Sequence, residues 1–235
     1  LNKQFSNALM PLVSQLHGRG DHDAIRRIMT DGTRFLLALA VPGIGLLYYY
    51  APEFIQLWLG AEFAESADLL RILLLALIPV TLQLNAANIL GMTGQHRFLA
   101  IAMLISAALN LLFSMALIAA FGLPGAALGT LAAVLLVEAA FILPRACRHS
   151  GVSATTFLGT VVWPSLPALL PMLGVAAALD QWLATDSLGL LCLKVVASGL
   201  VYLTGFFFTG LSRTERALLL GKLLRGAPAA RLETE

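Results

Sequence analysis

Polar and apolar residues fall in long blocks along this chain, not in the short alternations of a sheet or the mixed faces of a soluble helix. From Phe98 to Val137 no side chain is charged, and only the turn Phe121-Gly122-Leu123-Pro124-Gly125 interrupts the run. A core helix of a soluble protein rarely needs more than about a dozen apolar residues in a row, so this run predicts two membrane-spanning helices joined by a tight hairpin. The same criterion predicts six spans: Phe35–Ala51, Ile72–Gly91, Phe98–Ala120, Gly125–Leu143, Ala154–Leu179 and Leu188–Leu211. Pro42 lies in the first, Pro79 near the middle of the second, and Pro164, Pro167 and Pro171 break up the fifth. The expected fold is all-α, a polytopic membrane helical bundle.

Shorter elements flank these spans. Leu1 to Leu16 is mildly apolar and too short to cross a membrane alone, and reads as the inner end of a helix that starts before this chain. Gly18 and Gly20 end it, and Asp21 or Asp23 can cap the next helix. There Ala24, Ile25, Ile28 and Met29 share one face, while Arg26, Arg27, Thr30, Asp31 and Arg34 take the other, the pattern of a short basic interfacial helix. The chain divides accordingly into residues 1–34 (helix end plus amphipathic linker), 35–146 (four spans), 147–211 (two additional spans) and 212–235 (a basic tail).

Composition agrees with a membrane protein: 59% of residues are hydrophobic and 12% charged, with a mean hydropathy of +0.85. The net charge of +2 matters less than its placement. Twelve of the fifteen Lys and Arg residues lie in turns that alternate with the acidic segments Pro52–Asp68 and Asp180–Ser187; Lys3, Arg71 and Lys194 are the exceptions. By the positive-inside rule the basic turns and the C-terminus are cytoplasmic. Tyr48-Tyr49-Tyr50 and Trp58 suit the aromatic belt on the other side. Cys147 and Cys192 form no paired or metal-binding spacing and read as small apolar packing residues. No catalytic motif, no metal-ligand spacing, no cofactor signature and no nucleic-acid-binding pattern is present, so transport or scaffolding is favoured over chemistry.

The candidate working residues are the polar groups inside the spans. Glu138 sits five residues before the fourth span ends. A carboxylate at such depth costs about 2.5 to 3.5 kcal/mol, so it either couples protons or lines a cavity, or it lies close enough to the inner interface to meet Arg145 or water. Asn85 and Asn88, with Gln83 nearby, lie in the second span and Asn110 in the third; each joins helices by hydrogen bonds or contacts substrate. Arg71 and Lys194 either snorkel to the outer interface, Arg71 paired with Asp68 one turn earlier, or line a cavity for an anionic headgroup. Gly125 and Gly129, with Ala126 and Thr130, form pairs of small residues that permit close helix contact.

Several stretches together resemble one family. NALMPLVSQLHGRGD, then Arg34 and Val41-Pro42, then APEFIQLWLGAEFAESADLLRIL, then Asn88 with Gly94-Gln95, and finally Asn110 followed by FGLPGAALGT from Phe121 to Thr130 are similar to successive patterns of the polysaccharide and O-antigen flippases of the multidrug/oligosaccharidyl-lipid/polysaccharide exporter superfamily. The likeness covers roughly Asn7 to Arg148. It implies a MATE-like fold of two six-helix lobes, often followed by two further helices, of which this chain supplies about helix 8 to helix 14. It also implies a bacterial inner-membrane transporter that flips an undecaprenyl-linked oligosaccharide, such as an O-antigen or exopolysaccharide precursor, by alternating access. The partners implied are that lipid-linked glycan, the surrounding lipids and the missing N-terminal lobe, without which this stretch does not transport. A cation-coupled multidrug exporter of the same superfamily and a non-transporting membrane scaffold subunit are the alternatives.

Overall fold

The computed structural model describes residue 11 and residues 13–217; the expectations for residues 1–10 and for most of the basic tail lie outside these. The described residues are helical almost throughout, with no strand among them. Six helices are long and apolar enough to cross a membrane: His22–Tyr49, Ser66–Met92, His96–Phe121, Leu123–His149, Ala154–Trp182 and Leu188–Thr209. This is the polytopic helical bundle that the hydrophobic blocks predict.

The first span differs from its expectation in one respect. The amphipathic stretch is not a separate surface helix but the opening turns of α1 (His22–Tyr49), which Asp21 caps by accepting from the Ala24 amide at 3.0 Å. Gly32 does not break it, because Ile25, Met29 and Thr33 are buried on one face continuous with Leu36, Leu37 and Leu46, and that packing outweighs the low helix propensity of one glycine. After α2 (Ala51–Trp58) and a single 3-10 turn at Ala61–Phe63, α3 (Ser66–Met92) carries Pro79 in its interior.

α4 (His96–Phe121) and α5 (Leu123–Val134) form the expected hairpin. Gly122, at φ 65°, makes a turn that only glycine adopts readily. A Cβ at Gly125 would overlap the Leu117 carbonyl and one at Gly129 the Ser114 backbone, so the two helices touch backbone to backbone. The fourth span then changes its ladder. Leu135–Ile142 is π-helical, and the Leu143 amide reaches back five residues to the Glu138 carbonyl before α6 (Leu143–His149) resumes. The proline-rich fifth span is split as α7 (Ala154–Val161), a 3-10 turn at Trp163–Ser165 and α8 (Leu166–Trp182). α9 (Leu188–Thr209) is capped by Ser187.

Packing places α3 beside α5 and the π segment on one flank of the bundle, and α8 with α9 on the other, with α1 between. One apolar core joins the first half of α1 (Ile25, Met29) to α3 (Leu90), the π segment (Val137) and α7 (Phe157). A second joins the other half of α1 (Leu46) to Met172 of α8 and Tyr202 of α9. The last two spans are therefore packed against the first one and are not a loose appendage. α4 buries only Ala102 and shows Leu104, Leu111 and Met115 on its surface, the inverted dressing of a helix that faces lipid.

Candidate functional site

Glu138 lies in the π-helical segment of the fourth span. Such π turns occur often at functional sites. From the neighbouring α3 the Gln83 side chain lies beside the Glu138 carboxyl. Glu138 Oε2 and Gln83 Oε1 are enclosed with no hydrogen-bond partner among the described residues, and Gln83 as a whole is 7% exposed. Arg145 does not serve as counter-ion: its Nη2 donates to Gln95 Oε1 at 3.1 Å and its guanidinium lies 5.3 Å from the Phe98 ring centre. Gln83 is the partner that sequence reasoning passes over; a Gln among Leu82, Leu84 and Ala86 was the signal, but nothing in the sequence ties it to a residue 55 positions later.

Asn85 and Asn88 are on the same helix but face other ground. Asn85 Nδ2 donates to Thr33 Oγ1 of α1 at 3.3 Å, and both side chains are buried. Asn88 Nδ2 is enclosed and has no partner among the described residues. Beside them α1 and α3 diverge to leave an apolar groove of about 680 Å³, lined by Leu39, Gly43 and Leu47 of α1 and Leu74, Leu77 and Thr81 of α3. Asn110 belongs to the α4–α5 hairpin: its Nδ2 donates to Thr130 Oγ1 at 3.4 Å, and Ser114 Oγ lies 3.2 Å from Asn110 Oδ1 and from the Ala126 carbonyl.

The two cations sit at the opposite end of the bundle from the basic turns. Arg71 pairs with Asp68 at 3.2 Å, donates through Nε to the Tyr48 carbonyl at 3.3 Å and lies over the Tyr48 ring. Lys194 is 1% exposed, and all three of its ammonium donors are committed: to Asp180 Oδ1 at 2.7 Å, the Leu183 carbonyl at 2.6 Å and Thr185 Oγ1 at 2.7 Å. The phenols of Tyr49 and Tyr50 face the same Asp180, and Tyr50 also donates to the Ala176 carbonyl at 3.3 Å. Lys194 thus closes the α8–α9 turn beside the C-terminal end of α1.

At the basic end, Ser212 and Glu215 form a reciprocal helix cap. The Ser212 amide donates to Glu215 Oε2 at 2.8 Å, the Glu215 amide donates to Ser212 Oγ at 3.3 Å, and Arg34 pairs with the other carboxylate oxygen. Burial pushes the Glu215 carboxyl up, but the Ser212 amide and hydroxyl together with the Arg34 guanidinium outweigh it and hold the group below the usual carboxylate range. The Ser-x-x-Glu spacing was readable in the sequence. Among the described residues no group of three His, Cys, Asp or Glu is placed to hold a metal ion.

Six apolar spans, a lipid-facing hairpin and isolated polar groups at helix seams define a multi-pass helical membrane protein. Within that class the chain belongs to the family described as "Lipid II flippase MurJ", whose model matches residues 3–193. It is also similar to the "Probable low-salt glycan biosynthesis flippase Agl15" of Haloferax volcanii, 25% identical over 199 residues, which are 85% of this chain and 41% of that protein. The chain therefore spans less than half the length of that relative. Both findings support a lipid-linked flippase of the superfamily that the motif order resembles.

Proposed function

We propose that this chain is the C-terminal part of a transporter that moves a polyprenyl-linked glycan precursor across a bacterial inner membrane by alternating access. The observation that carries the reading is the family match over residues 3–193, most of the chain. The glycan flippase from Haloferax volcanii supports it, as does the shortness of this chain against that relative, which leaves room for a second lobe. The ends of the bundle agree with the charge alternation: Arg34 meets Glu215 and Arg145 meets Gln95 at the basic end, while Arg71 and the Asp180 cluster occupy the other. The basic end, with the C-terminus, is the cytoplasmic one. No step of the reading calls for a catalytic group. The two lobes exchange access while the glycan headgroup crosses between them, and the lipid tail stays in the apolar phase.

The test is made with the intact protein in cells depleted of their own flippase for a lipid-linked glycan. Restored appearance of the precursor headgroup at the outer membrane face, measured by its accessibility to an impermeant label, supports the reading. Failure to restore it, with energised efflux of cationic dyes instead, moves the protein to the drug-exporter alternative. Neither activity in well-folded protein favours a scaffold.

A further inference from the structure

We propose that Glu138 and Gln83 form a proton-binding site inside the membrane, in which Glu138 is held as a carboxylic acid and exchanges its proton as the surrounding helices change packing. The inference makes no assumption about the cargo.

The argument starts from two oxygens. Glu138 Oε2 and Gln83 Oε1 are both enclosed, and neither has a donor among the described residues. A buried acceptor without a donor is unfavourable, and far more so when it carries charge. Protonation of Glu138 removes the charge and turns one of its oxygens into a donor; the only bond made is O–H, with water as the source and sink of the proton. Among the described residues no opposite charge is at hand to make ionisation the cheaper state. The elements packed against the π segment are α3, α4, α5 and α6. α3 carries Asp68 and Arg71 in its first two turns, far from Gln83, and these pair with each other. α4 carries His96 and Arg97 in its first turn. α5 carries no charged residue. α6 carries Arg145, Arg148 and His149; Arg145 is committed to Gln95 and Phe98, and Arg148 Nε to the Pro144 carbonyl at 3.4 Å. From α3 it is the uncharged Gln83 that meets the carboxyl.

The backbone supplies the second half of the argument. Glu138 sits where the ladder is π-helical, its own carbonyl accepting from Leu143 instead of from Ile142. Returning that stretch to α geometry would turn the Glu138 side chain about 100° relative to α6. A carboxyl on such a segment has two environments available within one span, which proton exchange requires.

The experiment is infrared difference spectroscopy of the intact protein in lipid nanodiscs, titrated from about pH 5 to about pH 9. The wild-type protein is expected to show a protonated-carboxyl C=O band at neutral pH that weakens as the pH rises. E138Q abolishes this band. Q83L leaves it present but shifts its frequency, because the carboxyl has lost its polar neighbour on α3. Circular dichroism and gel filtration of each variant confirm the fold, and Q83L, which introduces no polar group, carries the test if E138Q folds poorly. Wild-type and E138Q spectra that coincide in this region at every pH would overturn the site, as would a band that neither titrates nor moves in Q83L. Loss of flipping with an intact titrating band would count against the proposed transport but not against this site.

Discussion

Two polar groups within the spans, the buried Lys194 and the half-buried Glu138, have opposite surroundings. Lys194 is an ammonium with every donor satisfied, two of its three partners being oxygens of the turn it closes. Glu138 is a carboxyl with one uncharged neighbour and an oxygen left without a partner. In an apolar medium both groups are expensive, and the protein offsets only one of them. A fully coordinated charge fixes a structure, whereas one left short of partners remains able to change state. The first therefore reads as a fastener joining α8 and α9, and the second as the working group.

Substitutions at the two sites should separate along that line. K194M leaves Asp180 and the two turn oxygens without their cation and should be the most damaging change, destabilising by about 3 to 5 kcal/mol in equilibrium unfolding from mixed micelles. Adding D180N should recover part of that loss, since no lone charge then remains. An equal or larger loss in the double variant would show that the pair is not a unit. Packing alone is probed by G129V, whose side chain would run into the Ser114 backbone. It should cost about 1 to 3 kcal/mol and loosen the α4–α5 hairpin, read as faster cross-linking by a cysteine pair placed across its open end. The Arg34–Glu215 pair is worth less, about 1 kcal/mol in E215Q. Because the folded state holds the Glu215 carboxyl low, that contribution is complete above the ordinary carboxylate value and vanishes as the pH falls through the folded one. Wild-type and E215Q melting curves should thus converge in acid. E138Q should change stability least, by about 0.5 kcal/mol or less, while abolishing headgroup flipping in the intact protein. A large stability loss there would erase the contrast between the two sites.

The sequence was most legible where the signal was length. All six spans follow from runs of apolar residues, and the α4–α5 hairpin follows from FGLPG and from Gly125 and Gly129. It was least legible where neighbours decide. The basic amphipathic pattern before Phe35 suggested a separate surface helix, an expectation that tertiary packing overrides, leaving α1 unbroken. The π turn has no sequence signature, because Leu135 to Ile142 would suit an α-helix equally well. Among the candidate residues, the Arg71–Asp68 pair was visible in a one-turn spacing. Asn85 finds Thr33 across 52 positions, and Lys194 finds Asp180 and Thr185 in a turn that reads only as acidic. Those partnerships exist in space and not in spacing.

The position of Lys194 also constrains how the chain enters its membrane. It lies six residues into α9, and its partners belong to the end of α8 and the turn before α9. Were α9 to leave the translocon alone, it would carry an unpaired ammonium into the lipid at about 2.5 to 3.5 kcal/mol at the bilayer centre, less near the interface. Released with α8 still beside it, the same residue arrives already coordinated. Biogenesis of this region therefore favours release of the last two spans as a preassembled hairpin, with the lysine seated before either helix meets lipid on its own.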